Sequence, residues 1–388
     1  MDPRPARIAD WTRIPQMDPL LLLGVAGLIA VSIVTLALTT QDDVAGNPYF
    51  FVIRQSMYVI VGVTLMLAAA RVDYSRFREL RVGLYWAMIA GILLVLALGS
   101  ATRGSRRWLE LPFFTFQPSE MGKVLLILAL SAFAIDQARR ISDRRRTARL
   151  LLLGLLPAGL IFLQPDFGTA LVYIAITGGI LLIAGVRWTH FAAIGGVALA
   201  AIVAILVIAP AAGTPVLQDY QVERITTFLN PSEDSGDSSY QINQALTAVG
   251  SGGKTGRGEQ ATQTELGFLP ETRTDFIFAV VAERWGLMGA AVVLSLYALL
   301  IWRALRILTI SKNLYGSLIA AGVVSMLMFQ VFVNVGMTLG LMPITGLTLP
   351  LMSFGGSSVL STFLAIGVLQ SVFVQAQRTT GGRAQPLM

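Results

Sequence analysis

The chain has 388 residues, 55% of them hydrophobic and only 13% charged, with a mean hydropathy of +0.69. That composition excludes a soluble globular domain and specifies an all-α polytopic membrane protein. Cysteine is absent, which excludes disulfides, thiol catalysis and Cys-based metal sites; the net charge of +7 is read from where the basic residues fall rather than as a nucleic-acid signal.

A membrane span needs about 20 apolar residues to cross roughly 30 Å of hydrocarbon. In chain order the apolar runs predict ten transmembrane helices, at residues 20–38, 50–70, 82–98, 119–135, 150–163, 168–186, 191–209, 276–301, 314–339 and 349–374. The first run is too long for a signal-peptide core and no small-residue cleavage site follows it, so it should remain as a span. Ten spans return both termini to the side on which they start. With that side cytoplasmic, most of the 29 Lys and Arg residues lie inside, where topology and anionic lipid both favour them. No internal repeat is convincing, and residues 1–388 read as one membrane domain.

Two outer segments break the pattern of short connections. Residues 99–118 carry Arg103, Arg106, Arg107 and Trp108, and residues 211–275 form a long extracytoplasmic loop between the seventh and eighth helices. Positive charge outside runs against the topological preference, so a ligand there should benefit from it. The long loop opens on a segment containing Arg224 and passes a turn-rich polar run at 230–237. Residues 240–249 have helical spacing that puts Ile242, Ala245, Leu246 and Val249 on one side. A glycine-rich stretch, 250–258, then carries Lys254 and Arg257. It lacks the strand and glycine spacing of a phosphate-binding P-loop.

Proton transfer needs a base, and the single histidine, His190, falls on the inner side. An outer-face reaction must therefore use a carboxylate. Asp275 is the best placed, because Phe276, Ile277 and Phe278 follow it and partial desolvation raises a carboxyl pKa. A plain helix cap by Thr274 or Asp275 explains the same residues equally well. Glu120 and Lys123, one helical turn apart, can pair inside the membrane. Asp166 starts another helix and is equally a dipole partner, while Glu283 and Arg284 read as a structural pair. Arg103, Arg106, Arg107, Lys254, Arg257 and Arg273, interleaved with glycine N–H groups, suit an anionic headgroup; an ordinary solvated loop is the alternative. Prolines and glycines between Pro343 and Ser358 suggest a broken helix start lining a cavity, or tight helix packing.

Several of these stretches match one family. They are Arg107-Trp108 with Gln117-Pro118-Ser119-Glu120 and Lys123; Gln164-Pro165-Asp166-Phe167-Gly168-Thr169; Tyr240-Gln241 with Gln244 and Gly250-Ser251-Gly252-Gly253; Phe268-Leu269-Pro270-Glu271; Thr274-Asp275-Phe276-Ile277-Phe278-Ala279; and Pro350 with Ser353-Phe354-Gly355-Gly356-Ser357-Ser358. In this order they resemble the SEDS proteins (shape, elongation, division, sporulation), and within them the RodA branch more than FtsW.

The resemblance implies a ten-helix peptidoglycan glycosyltransferase in the bacterial cytoplasmic membrane. It would polymerise lipid II at the outer face for elongation and cell shape, beside a class B penicillin-binding protein and other elongation-complex membrane proteins. Asp275 falls on the family's essential acidic position. Trp108, Glu120, Lys123, Asp166 and Gln244 fall on other motif positions, and Glu271 and Ser357 are further substrate-contact candidates within the matching stretches. Three departures stand out: Arg273 where the family usually has His, Gly267 where relatives often have an acid, and Glu283-Arg284 in place of paired acids.

The expected chemistry follows. Asp275 takes the proton of the acceptor 4-hydroxyl as it attacks the donor MurNAc anomeric carbon, inverting it and releasing undecaprenyl pyrophosphate. Arg103, Arg107, Lys123, Arg224 and Arg257 are the expected cations for the leaving charge. A divalent cation, magnesium or manganese, is compatible with this and not demanded by the sequence. The rival readings are a lipid II flippase and a non-catalytic scaffold. A translocator distributes polar groups along a path through the bilayer, whereas here they concentrate on one side.

Overall fold

A computed structural model describes residues 16–41, 46–102, 105–110, 115–137, 143–203 and 237–381. Arg103 and Arg224 lie outside the described residues, as do the first part of the long loop and the end of the seventh expected span. Helices occupy each of the ten expected stretches: α1 (Pro19–Thr39), α2 (Phe50–Arg71), α3 (Arg81–Leu98), α4 (Pro118–Gln137), α5 (Arg144–Phe162), α6 (Phe167–Ile183) and α7 (Trp188–Val203), then, after α8 (Asp237–Gly252) and the short α9 (Thr262–Glu265), α10 (Ile277–Ile310), α11 (Leu314–Thr338) and α12 (Gly356–Gly381). Among the described residues seven of them, α1 to α4 and α10 to α12, are long and apolar enough to cross a membrane. The protein is a polytopic helical membrane protein.

The bundle is built around α4, α11 and α12, whose spans are mostly buried, whereas α2 and α3 turn most of their surface outward. Exposed Ile53, Met57 and Ile60 on α2 and Leu93 and Leu94 on α3 are what a helix facing hydrocarbon requires. Helix starts are set by local side chains. Asp18 accepts the Leu20 and Leu21 N–H groups at 3.1 and 3.0 Å, with Pro19 in the first turn. Asp143 caps α5, Asp166 caps α6 and Asn313 caps α11.

The end of the bundle opposite the α10 start is tied by two clusters. Asp18, fully buried, takes the Arg303 guanidinium of α10 on both carboxylate oxygens, and Gln370 of α12 bonds its backbone N–H and carbonyl. Beside them Asp73 caps a 3-10 turn, Tyr74–Arg78, and accepts from Ser75 N–H and Gln375 Nε2, each at 2.8 Å. Partial burial pushes the Asp73 carboxyl up, but those bonds and nearby Lys312 outweigh it and hold the pKa below the ordinary 3.8.

Three local features differ from the sequence expectations. The eighth helix runs on to Ile310 and is interrupted at Gly286, whose φ of 64° and ψ of −157° are non-helical and open only to glycine. The last helix begins at Gly356 rather than 349. Residues 341–355 before it are irregular backbone held inside the bundle, with Thr345, Leu347, Leu349, Leu351, Met352 and Ser353 buried. The segment after α3 forms a small antiparallel sheet, β1 (Ser100–Thr102), β2 (Ser105–Glu110) and β3 (Thr115–Phe116), in the order β1-β2-β3, pairing Ser100 with Trp108 and Leu109 with Phe116. The sequence signalled only its charge.

Helix α8 is the amphipathic helix expected at 240–249, with a shifted face. Ile242, Ala245 and Ala248 are buried with Val249 against them, while Leu246 is exposed. This face packs on Leu269, Phe276, Ala279, Val280 and Ile344 in a second, smaller core. The last part of the long loop is thereby pinned over the start of α10.

Candidate active site

Asp275 sits one residue before the N-cap of α10. The cap position is Phe276, so neither Thr274 nor Asp275 serves as the helix cap. The chain arrives there through a tight turn at Glu271, which has a φ of 51° and whose carbonyl accepts the N–H groups of Thr274 and Phe276, both at 3.2 Å. The Glu271 carboxylate accepts the Thr274 hydroxyl at 3.0 Å. Glu271, expected as a substrate contact, thus shapes the turn that presents Asp275.

Three successive carbonyls are then held from two other elements. Phe354 N–H donates to the Arg273 carbonyl at 2.8 Å. Ser353 Oγ donates to the Thr274 carbonyl at 2.5 Å and accepts the Leu349 N–H at 2.8 Å. Asn334 Nδ2, from α11, donates to the Asp275 carbonyl at 2.8 Å and to the Leu347 carbonyl at 2.7 Å. The irregular stretch 341–355 therefore serves as a scaffold for the acid, and its own backbone finds partners inside the protein. Gly346, at φ 70°, passes the carboxylate so closely that a Cβ there would stand 3.6 Å from Asp275 Oδ2. Asp275 is half-buried, between buried Phe276 and this strand.

On the other flank of the same strand lies a second polar group. Gly168, at the start of α6, approaches so closely that a Cβ would meet the Thr345 carbonyl at 2.6 Å. Asp166 there accepts the Thr169 N–H at 3.2 Å and Gln117 Nε2 at 2.9 Å, and lies 3.8 Å from Arg107 Nη1. Arg107 also donates to the Gln164 carbonyl at 3.3 Å and to the Pro165 carbonyl. Ser357 Oγ accepts the Gln117 N–H at 2.9 Å and donates to the Thr115 carbonyl at 3.2 Å, fastening β3 and α4 to α12. Within α4, Lys123 Nζ and Glu120 Oε2 meet at 2.7 Å, both buried, and Ser361 donates to the same oxygen at 3.2 Å.

The expected cation set is divided by this geometry. Lys123 is enclosed and paired, and Arg107 is engaged with the α5–α6 turn, so neither stands as an open charge. Lys254 and Arg257 are exposed on the glycine-rich stretch, with Arg257 Nη1 donating to Thr262 Oγ1 at 3.0 Å. Gln244 is half-buried on α8, and Trp108 is half-buried on β2. Two aromatic residues that sequence reasoning passed over hold neighbouring guanidinium groups: Phe51 stacks edge-on with Phe354 at 5.1 Å and carries the Arg273 guanidinium 4.1 Å from its centroid, while Arg54 lies 4.6 Å over Phe50. The signal was the Phe50-Phe51 pair at the start of the second span.

Glu283 and Arg284 do not pair with each other. Glu283 accepts the Gln263 and Thr264 N–H groups at 2.8 and 3.0 Å and the Thr264 hydroxyl at 2.6 Å. Arg284 binds Glu265 at 2.9 Å and the Leu38 carbonyl at 3.2 Å. Together they clamp α9 onto the top of α10. Among the described residues no three carboxylate or histidine side chains cluster to hold a metal ion.

Comparison with known proteins agrees with this architecture. Residues 16–378 match the profile of the FtsW/RodA/SpoVE family, described as cell cycle proteins. Stage V sporulation protein E of Bacillus subtilis (strain 168) is 36% identical over 364 residues, covering 91% of this chain and 94% of the relative. Peptidoglycan glycosyltransferase MrdB of Escherichia coli (strain K12) is 32% identical over 379 residues, covering 96% and 97%. A chain of a peptidoglycan synthase complex, solved in work on the coordination of polymerization and crosslinking, superposes with a TM-score of 0.77 at 32% identity, covering 93% of this chain and 98% of that one. The chain belongs to the FtsW/RodA/SpoVE family, the SEDS family of membrane-embedded peptidoglycan glycosyltransferases.

Proposed function

We propose that this protein polymerises lipid II into glycan strands at the outer face of the bacterial cytoplasmic membrane, in the service of elongation and cell shape. In this reading ten spans leave both termini in the cytoplasm. Asp275 takes the proton of the acceptor 4-hydroxyl as that oxygen attacks the donor MurNAc anomeric carbon. The C–O bond to the diphosphate breaks with inversion, and undecaprenyl pyrophosphate leaves as an anion toward the exposed Lys254 and Arg257 and the outer-face Arg103 and Arg224. Arg107, Trp108, Glu120, Lys123, Asp166, Gln244, Glu271 and Ser357 shape and position the substrate cleft. A class B penicillin-binding protein supplies transpeptidation, with further elongation-complex membrane proteins alongside.

One observation carries this reading: the backbone at 273–275 is held at three consecutive carbonyls, so a half-buried acid is pre-positioned at the start of α10. The test is purified protein with labelled lipid II, scored for glycan strands on a gel in the presence of moenomycin. Strands from the wild type and none from a folded Asp275→Ala variant support the reading. Strand formation by Asp275→Ala at the wild-type rate refutes it, and lipid II translocation without polymerisation would assign the chain to transport.

A further inference from the structure

A cavity of about 410 Å³ lies at the opposite end of the bundle from Asp275, between the start of α5 and the start of α7, lined by Arg144, Thr147, Ala148, Leu151, Thr189, His190 and Ala193. Its polar end is chemically specific. His190 Nδ1 meets Thr147 Oγ1 at 3.1 Å, and Thr147 is buried. Arg144 and Thr189 are exposed at the rim. Arg145, Arg146 and Arg149 lie in the same first turns of α5 and Arg187 directly precedes α7, and the carboxylate at this helix start, Asp143, caps α5 and lies 3.8 Å from Arg146 Nε. Guanidinium, imidazole and hydroxyl groups converging on one concavity match the oxygens of a phosphate.

The rest of the lining is apolar: Ala148, Leu151 and Ala193. Leu152 and Leu155, further along α5, are 63% and 39% exposed. Trp188, at 75% exposure, stands at the start of α7 beside Phe191, with ring centroids 5.8 Å apart; such an aromatic marks a headgroup level. From Arg144 to Leu155 the helix rises about 16 Å at 1.5 Å per residue, close to the hydrocarbon of one leaflet, half of about 30 Å.

We infer that the cavity binds an anionic phospholipid of the leaflet on that side, its phosphate between Arg144, Thr147, Thr189 and His190 and one acyl chain along Leu151, Leu152 and Leu155. The inference is independent of the reaction assigned to Asp275. Charge complementarity selects an anionic over a zwitterionic headgroup, and the leucine path selects a lipid over a soluble phosphate.

The test is native mass spectrometry of the full-length protein in detergent, offered equimolar phosphatidylglycerol and phosphatidylcholine. The wild type should retain phosphatidylglycerol preferentially. Arg144→Ala with His190→Ala should lower that retention by about fivefold or more while leaving phosphatidylcholine unchanged. Arg306→Ala with Arg378→Ala, which removes charge elsewhere on the same end, should retain it. If the double variant fails to fold, Thr189→Val at the exposed rim should still lower retention about threefold. Equal retention of the two lipids by the wild type, unchanged retention in both site variants, or an equal loss in the charge control overturns the site. Displacement of phosphatidylglycerol by millimolar inorganic phosphate overturns the lipid assignment.

Discussion

Asn334 of α11 holds Asp275 in place through one amide group, donating at 2.8 Å to the Asp275 carbonyl and at 2.7 Å to that of Leu347. Replacing it with leucine strands two buried carbonyls, each loss costing about 1–3 kcal/mol, and frees the acid to shift. Asn334→Leu is expected to fold with a lowered unfolding temperature and to lose polymerisation by about a hundredfold, the scale of a 1 Å misplacement. Rates on labelled lipid II beside melting curves check this; a stable variant with full activity would remove Asn334 from the site.

Asp275→Asn keeps the size of the side chain and removes its capacity to take a proton. A general base contributes about 10²- to 10⁴-fold, so the variant should lose at least a hundredfold in polymerisation while retaining binding of lipid II. Single-turnover rates with a separate binding measurement distinguish this from a substrate-binding role, in which both would fall together.

The buried Glu120–Lys123 pair, 2.7 Å apart, makes a different prediction. Removing one partner leaves an uncompensated charge inside the bundle, at about 3–5 kcal/mol, whereas replacing both by apolar or neutral groups of similar volume is nearly neutral. Lys123→Met is therefore expected to lower the unfolding temperature sharply, and adding Glu120→Gln should restore most of it. Failure of the second change to rescue the first would show that these residues act beyond their pairing.

Glu283 receives three donors from Gln263 and Thr264, so Glu283→Ala should release residues 262–265. The expected readout is faster amide exchange and earlier proteolytic cutting at 253–266, with the opposite end of the bundle unchanged. Protection equal to that of the wild type would contradict the clamp.

Between α2 and α3 the lowered Asp73 pKa sets a sign. Its stabilising contribution is present above the ordinary carboxyl value of 3.8 and is lost as pH falls through the lower folded value. Asp73→Asn should therefore destabilise the protein at pH 7 and lose that effect as the pH is taken down through the folded value, as unfolding curves recorded down an acid series would report.

What was legible in the chain was local. The Glu120–Lys123 pair follows from an i,i+3 spacing, the cap at Asp166 from one residue type at a helix start, and the placement of the bundle helices from runs of apolar residues. What was not legible joins distant stretches. Asn334 meets Asp275 across 59 residues and Ser353 meets Thr274 across 79, and no periodicity encodes such pairs. The break at Gly286 was hidden for another reason: glycine inside an apolar run is compatible with a continuous helix, and only the packing of the neighbouring loop decides against it. The hairpins at 100–116 were masked by arginines that read as a charged loop.

The interruption at Gly286 divides α10 into a short stub, which begins beside the acid, and a long shaft exposed along Leu287, Met288 and Val292. The first amides of the shaft, Leu287 and Met288 N–H, are taken up by the carbonyls of Gly253 and Lys254 at 2.9 and 3.2 Å. A tilt of the shaft, whether from bilayer thickness or from a neighbour leaning on it, is thus delivered as a pull on the glycine-rich stretch. The stub holds the same stretch from the other side of the joint, Arg257 N–H donating to the Glu283 carbonyl at 2.9 Å.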